Sequence, residues 1–163
     1  MRVVAKRRRF EGKTDYGARK TMLLSGRPRI VFRKTNRYVT GQLVESKEAR
    51  DKVVVAFSSK ELLESGWPKE MEGSLKSLPA AYLTGFMLGK ESMKKKIESG
   101  ILDLGLNRNV PKSRIYAFVA GLKKSGFDVP CNEKMLPEKD RLEGKHLGKD
   151  IKTTIEKIMK GDK

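Results

Sequence analysis

Apolar residues alternate with polar ones along Arg29–Val44, RIVFRKTNRYVTGQLV. In the first arm Ile30 and Phe32 fall on one face and Arg29, Val31 and Arg33 on the other. In the second, Val39, Gly41 and Leu43 oppose Tyr38, Thr40 and Gln42. This period of two predicts a β-hairpin turning at Lys34-Thr35-Asn36-Arg37, with Asn36 suited to the turn. Lys52–Ser58, KVVVAFS, is apolar on both faces and is expected to be a central strand. A mixed-charge turn over Glu45–Asp51 would join it to the hairpin, so that three strands form an antiparallel meander. Ile101–Leu106, ILDLGL, reads as a short buried fourth strand.

Elsewhere the period lengthens to that of a helix. Thr14 and Asp15 both qualify as caps of a short helix running to about Ser25, with Gly26 stopping it. Its Tyr16, Arg19, Lys20 and Leu23 share one face. A second short helix spans Ser59–Gly66 with Leu62 and Leu63 inward, Trp67 is a packing residue, and Lys69–Leu78 reads as a loop. Pro79–Ser99 is the longest helix, with Pro79 at its first position and Tyr82, Leu83, Phe86, Met87 and Met93 as its apolar face. Ala81, Gly85 and Gly89 recur every four residues along it. A helical glycine costs about 1 kcal/mol relative to alanine, so this groove predicts close approach to a sheet. Ser113 caps a further helix to about Ser125, carrying Ile115, Phe118, Val119 and Leu122 inward, and Gly126 stops it.

Strand, helix and strand at this spacing imply a crossover into one sheet. The expected class is α+β: a mixed sheet of about four strands, the meander plus a crossover strand, with helices packed on it. Residues 1–13 form a basic arm, 14–128 the α+β domain and 129–163 a C-terminal extension. In the extension Pro130, Pro137 and Gly144 interrupt candidate helices over Glu138–Leu147 and Asp150–Met159. The extension reads as an appendage that docks on a neighbour or on a large RNA, with a frayed tail as the alternative.

Charge sharpens the picture. The 163 residues hold 37 Lys and Arg against 20 Asp and Glu, a formal net charge of +17. Residues 1–44 carry 13 of those cations and 2 of the acids, so about a quarter of the chain holds most of the excess. Such polarity needs an anionic partner, nucleic acid or an anionic membrane. The membrane reading ranks last, since the cations sit on mixed elements without an amphipathic helix to carry them. The most apolar stretch, Ala80–Gly89, falls short of the ~20 residues that span a bilayer. Cys131 and His146 are the sole residues of their types, which leaves no disulfide or Cys/His zinc site within one chain and points to a soluble protein of a reducing compartment. The N-terminal stretch is basic without the apolar core of a secretory signal.

Catalytic chemistry finds little support. Asp103 is the sole acid within a predicted core strand and reads as capped by backbone or paired with a cation rather than as a metal ligand. His146 lies in the weakly patterned tail. Gly89-Lys90 lacks the spacing, the following Ser or Thr and the loop setting of a phosphate-binding loop. No enzyme activity, cofactor, metal or small-molecule substrate is expected. The basic region instead suits RNA: Tyr16, set among cations, can stack on a base or pack on the sheet, and the hairpin offers Arg, Lys, Asn, Tyr and Gln to phosphates, 2′-hydroxyls and bases.

Over approximately residues 5–142 the chain resembles the archaeal form of the L-eighteen family of large-subunit ribosomal proteins. The resemblance rests on Thr14-Asp15-Tyr16 with Arg19; on Pro28-Arg29, Arg33-Lys34 and Asn36-Arg37-Tyr38 with Gln42; and on Ser59-Lys60-Glu61-Leu62 before Gly66-Trp67. Pro79-Ala80-Ala81-Tyr82-Leu83-Thr84-Gly85, Leu102-Asp103-Leu104-Gly105-Leu106 and Ser113-Arg114-Ile115-Tyr116-Ala117 complete it. Gly17 and Gly121 depart from it, standing where helix formers are expected, as does Asn109-Val110-Pro111-Lys112. The resemblance implies a structural role in the cytoplasmic large ribosomal subunit, where the arm, first helix and hairpin grip 5S rRNA. Other surfaces would meet the large-subunit rRNA and neighbouring ribosomal proteins. The expected RNA-binding residues are Lys6, Arg7, Arg8, Arg9 and Lys13 of the arm, and Thr14, Tyr16, Arg19 and Lys20 of the first helix. Arg29, Arg33, Lys34, Asn36, Arg37, Tyr38 and Gln42 of the hairpin join them, with Arg108, Lys112 and Arg114 beside the later helix. The alternative is a general nucleic-acid binder or chaperone without 5S specificity.

Overall fold

The computed structural model describes Val4 and residues 6–48, 50–147 and 151–160; Met1, Arg2, Val3 and Ala5 of the arm and Asp150 of the last predicted helix lie outside them. The arm contains a helical turn, α1 (Arg7–Phe10), and leads into α2 (Tyr16–Leu24). Strands β1 (Arg29–Lys34), β2 (Val39–Lys47) and β3 (Arg50–Ser58) form the meander, with a 3₁₀ turn at Ser59–Leu63 after it. Next come α3 (Leu78–Lys94), β4 (Ile101–Asp103) and α4 (Arg114–Lys124), then α5 (Lys139–Leu142) and α6 (Ile151–Lys160). The sheet order is β3-β2-β1-β4, with β1 antiparallel to β2 and parallel to β4. This is the α+β architecture expected.

One face of the sheet carries Ile30, Phe32, Val39, Leu43, Val55 and Phe57, all buried against α3 and α4. Phe32 and Phe118 meet with ring centroids 5.2 Å apart. Gly41 makes room for that contact, since a methyl there would stand 2.6 Å from the Phe118 ring. The small-residue groove of α3 serves α4 rather than the sheet. A methyl at Gly85 would overlap the Phe118 carbonyl, and one at Gly121 the Tyr82 carbonyl, so the two helix backbones touch. Gly121, which looked misplaced in a helix, is therefore a requirement of that crossing.

Two expectations about β3 need correction. It is an edge strand, and the segment expected to be a turn is largely strand, since β2 runs to Lys47 and β3 begins at Arg50. The cause of the misleading apolar triplet is a β-bulge. Leu43 pairs with Val55 and Val44 with Val53, which leaves Val54 as the extra residue. The bulge turns Val53 to the open face, where it is 50% exposed, and carries Asp51 to that face too. Lys95 Nζ donates to the Val54 carbonyl at 2.5 Å.

Smaller differences have local causes. Lys69–Ser74 forms a 3₁₀ turn inside the expected loop, and Ser77 caps α3 so that Pro79 takes its second position. Strand β4 stops at Asp103 because the chain turns at Gly105, with φ +57°. Gly144, at φ +78°, separates α5 from a 3₁₀ turn at Lys145–Leu147. Ile151, Ile155 and Ile158 of α6 join the main core, so the chain itself covers the apolar side of that helix.

Candidate nucleic-acid interface

The sheet's second face holds the site. Register places Arg29, Val31 and Arg33 of β1 beside Thr40, Gln42 and Val44 of β2, with Asp103 opposite Val31 and Ser46 opposite Asp51. A ladder of charges results. Arg19 Nη2 of α2 lies 2.9 Å from Asp51 Oδ2, and Arg29 Nη2 lies 2.7 Å from Asp51 Oδ1. Arg29 Nη1 reaches Asp103 Oδ2 at 2.9 Å, and the Gly105 N–H donates to Asp103 Oδ1 at 2.8 Å. Burial pushes the Asp51 carboxyl up, but hydrogen bonds from Ser46, Arg29 and Arg19 outweigh it and hold its pKa below the ordinary value.

Arg29 therefore stands apart from the other expected RNA-binding residues. It is 2% exposed and its guanidinium serves two carboxylates of the fold, so it offers no charge to a partner. Asp103, 6% exposed, is both backbone-capped and ion-paired. Arg19 is partly exposed and tethers α2, a helix with no buried residue, to β3.

Around this ladder opens a concavity of about 1350 Å³ between the arm, α2 and the sheet's second face. Lys6, Arg8, Lys13, Thr14, Tyr16, Arg19, Lys20 and Arg33 line it. The arm is folded here rather than extended. The Arg8 carbonyl accepts from Lys13 N at 2.8 Å and Thr14 N at 3.2 Å, and Arg8 Nε donates to Thr14 Oγ1 at 2.9 Å. Asp15 caps α2 through Gly17 N and Ala18 N, at 2.9 and 3.1 Å. Lys6 Nζ sits 4.5 Å from the centre of the Tyr16 ring, a cation–π contact that occupies one face of the ring.

The hairpin turn is braced from within. Thr35 N donates to the Tyr38 carbonyl at 2.8 Å, and Thr35 Oγ1 accepts from Tyr38 N at 2.9 Å. Lys34, Asn36 and Arg37 are left exposed at its tip, while Tyr38 packs partly against the core. Arg33 is exposed, with Nη1 donating to the Phe32 carbonyl at 2.7 Å. Gln42 is half-buried on the second face.

Arg108, Lys112 and Arg114 fall in a different place. They line a smaller hollow of about 380 Å³ at the start of α4, together with Lys34 and Arg141. Lys112 also pairs with Glu138 at 2.6 Å. Arg141 escaped sequence reasoning, because it lies in the weakly patterned tail and nothing local marks its position. Ser113 occupies the N-cap of α4, yet its hydroxyl is buried without a hydrogen-bond partner.

Among the described residues no group of three or more His, Cys, Asp or Glu could hold a metal ion, and no helix is long and apolar enough to cross a membrane. Burial pushes the Cys131 thiol up despite Lys123, so it is poorly suited to act as a thiolate. The side chain of His146 lies outside what the structure describes.

A family model described as ribosomal large subunit proteins 60S L5 and 50S L18 matches residues 2–100. Large ribosomal subunit protein uL18 of Methanospirillum hungatei is 43% identical over 144 residues, 88% of this chain and 80% of that protein. Its namesake in Methanoculleus marisnigri is 42% identical over 159 residues, 93% of this chain and 89% of the relative. The Korarchaeum cryptofilum protein of the same name is 43% identical over 141 residues, covering 86% and 70%.

Proposed function

The chain belongs to the ribosomal large-subunit protein family of 60S L5 and 50S L18, and on that premise we propose that it binds 5S rRNA and helps attach it to the large rRNA at the central protuberance. It works there as a structural constituent of the large subunit of the cytoplasmic ribosome, without catalysis. Large-subunit rRNA and neighbouring ribosomal proteins are its further partners. The observation that carries this reading is the clustering of arm, α2 and sheet cations around one concavity, with the hairpin tip exposed beside it.

Cations from the arm, α2 and hairpin displace counterions condensed on the RNA, so affinity falls steeply with salt. Lys6, Arg8, Lys13 and Lys20 meet phosphates around the concavity, Arg7 and Arg9 meet them on the outer side of the arm, and Arg33, Lys34 and Arg37 meet them at the hairpin. Asn36 and Gln42 reach 2′-hydroxyls or base edges. Thr14, Tyr16 and Arg19 hold the arm and α2 in register, a positioning role more than a charge contact. The hollow beside α4, with Arg108, Lys112 and Arg114, faces a second RNA segment.

A competition titration tests the proposal. Labelled 5S rRNA bound at moderate salt is challenged with tRNA and with double-stranded DNA. The expected result is that 5S rRNA resists both. Equal competition by all three would refute 5S recognition and leave a general nucleic-acid binder.

A further inference from the structure

The helical turn of the arm ends on Phe10, whose side chain is 86% exposed. Every other Phe, Tyr and Trp of the chain is buried or half-buried. The ring does not dangle from a loose strand. Glu11 N donates to the Arg7 carbonyl at 2.9 Å, and Gly12, at φ +61°, reverses the chain so that Lys13 N and Thr14 N both reach the Arg8 carbonyl. The backbone is thus fixed on either side of Phe10.

Its surroundings select what can cover it. Arg7, Arg8 and Arg9 precede it and are exposed. The one acid nearby, Glu11, is held between Arg7 at 3.7 Å and Lys13 at 2.9 Å, so the local charge stays positive. An apolar protein surface seated on the ring would strip water from these guanidinium groups without pairing them, which is unfavourable. An unpaired nucleotide suits both demands, since its base presents a π-face and its flanking phosphates meet the cations. Tyr16, which the sequence leaves open to stacking or to packing on the sheet, is half-buried with Lys6 across one face.

We propose that Phe10 is a stacking platform for an unpaired base of 5S rRNA, with Arg7, Arg8 and Arg9 holding the phosphates beside that base. The inference rests on the RNA-binding reading above and adds to it a base contact made outside the lined concavity.

The test uses the full chain and 5S rRNA. Phe10→Ala is expected to fold as the wild type does, because the ring packs on nothing, and to weaken binding about 5- to 150-fold. Its salt dependence should stay unchanged, since a ring releases no counterions, whereas Arg7→Ala should make that dependence shallower. Phe10→Trp should bind with near wild-type affinity and lose indole emission as RNA saturates it, against the constant background of buried Trp67. Equal affinities for wild type and Phe10→Ala, or a Phe10→Trp emission that RNA leaves unchanged, would overturn the stacking proposal alone. A wild type that binds 5S rRNA no better than tRNA would instead overturn the reading beneath it, and the proposal with it.

Discussion

Replacing Asp51 with Asn makes the protein more basic, so charge alone predicts tighter RNA binding. The geometry predicts the opposite. Asp51 ties Arg19 of α2 to β3 at 2.9 Å while also holding Arg29 at 2.7 Å. The Arg19 pair is partly exposed on both sides, which puts it at about 0.5–1 kcal/mol. The Arg29 bond is charge-assisted and buried on the arginine side, in the range of about 1.5–3 kcal/mol, and Arg29 keeps Asp103 after the change. Stability should therefore fall by about 2–4 kcal/mol, a drop in Tm of about 4–16 °C for a chain of this size. Because α2 buries no residue of its own, losing the Arg19 tether frees it. RNA affinity should fall about 2- to 5-fold, the tether's own energy setting the ceiling. Thermal melts and filter binding at several salt concentrations read both effects. Tighter binding by Asp51→Asn would refute the tether. The advantage of the wild type also depends on acid. Since the folded pKa of Asp51 lies below its ordinary value of 3.8, that advantage is complete above 3.8 and is lost as pH falls through the lower folded value.

At the α3–α4 crossing, a methyl on Gly121 would stand 2.8 Å from Phe86 N and closer still to the Tyr82 carbonyl. Overpacking of about 1–3 kcal/mol or more exceeds the ~1 kcal/mol gained in helix propensity, and neither backbone can yield, so Gly121→Ala should destabilise by about 2 kcal/mol. Gly73→Ala, with nothing within 4 Å, is the control and should be neutral or stabilising in urea melts; a stabilised Gly121→Ala would refute the backbone contact. The double variant Arg33→Ala/Arg37→Ala should keep its Tm while its plot of log affinity against log salt becomes shallower by about 1–2, and an unchanged slope would show that neither guanidinium meets a phosphate. Ser113→Ala should escape the ~1 kcal/mol loss of a working N-cap, because its hydroxyl caps nothing; a loss of that size in denaturant melts would contradict the geometry.

Much of the fold was legible because its signals are local. Alternation at Ile30, Phe32, Val39, Gly41 and Leu43 matches the buried face of β1 and β2 residue for residue. The inward stripe of α4 is likewise found buried. Where expectation failed, one residue of irregularity was enough. The triplet Val53-Val54-Val55 reads as burial on both faces, yet a single extra residue produces the same pattern at a sheet edge. The Ala81, Gly85 and Gly89 series announced close packing but could not name the partner, since a helix and a sheet both reward a small-residue groove.

The site shows the same limit in a sharper form. Arg29 and Arg33 share a strand, a face and a charge, and no window of sequence distinguishes them. What separates them is distant in the chain: Asp51 and Asp103 converge on Arg29 only because the bulge turns Asp51 to the second face and the crossover sets β4 against β1. Arg33 meets no carboxylate among the described residues and stays exposed. Two identical side chains four residues apart are thus divided, one neutralised inside the fold and the other left exposed at its surface. The division implies that a charge map drawn from sequence overstates the cations available to RNA wherever acids return from other strands. It also makes Asp51 as much a part of the candidate interface as the arginines, because the carboxylate that lowers the net charge is the one that ties α2 to β3.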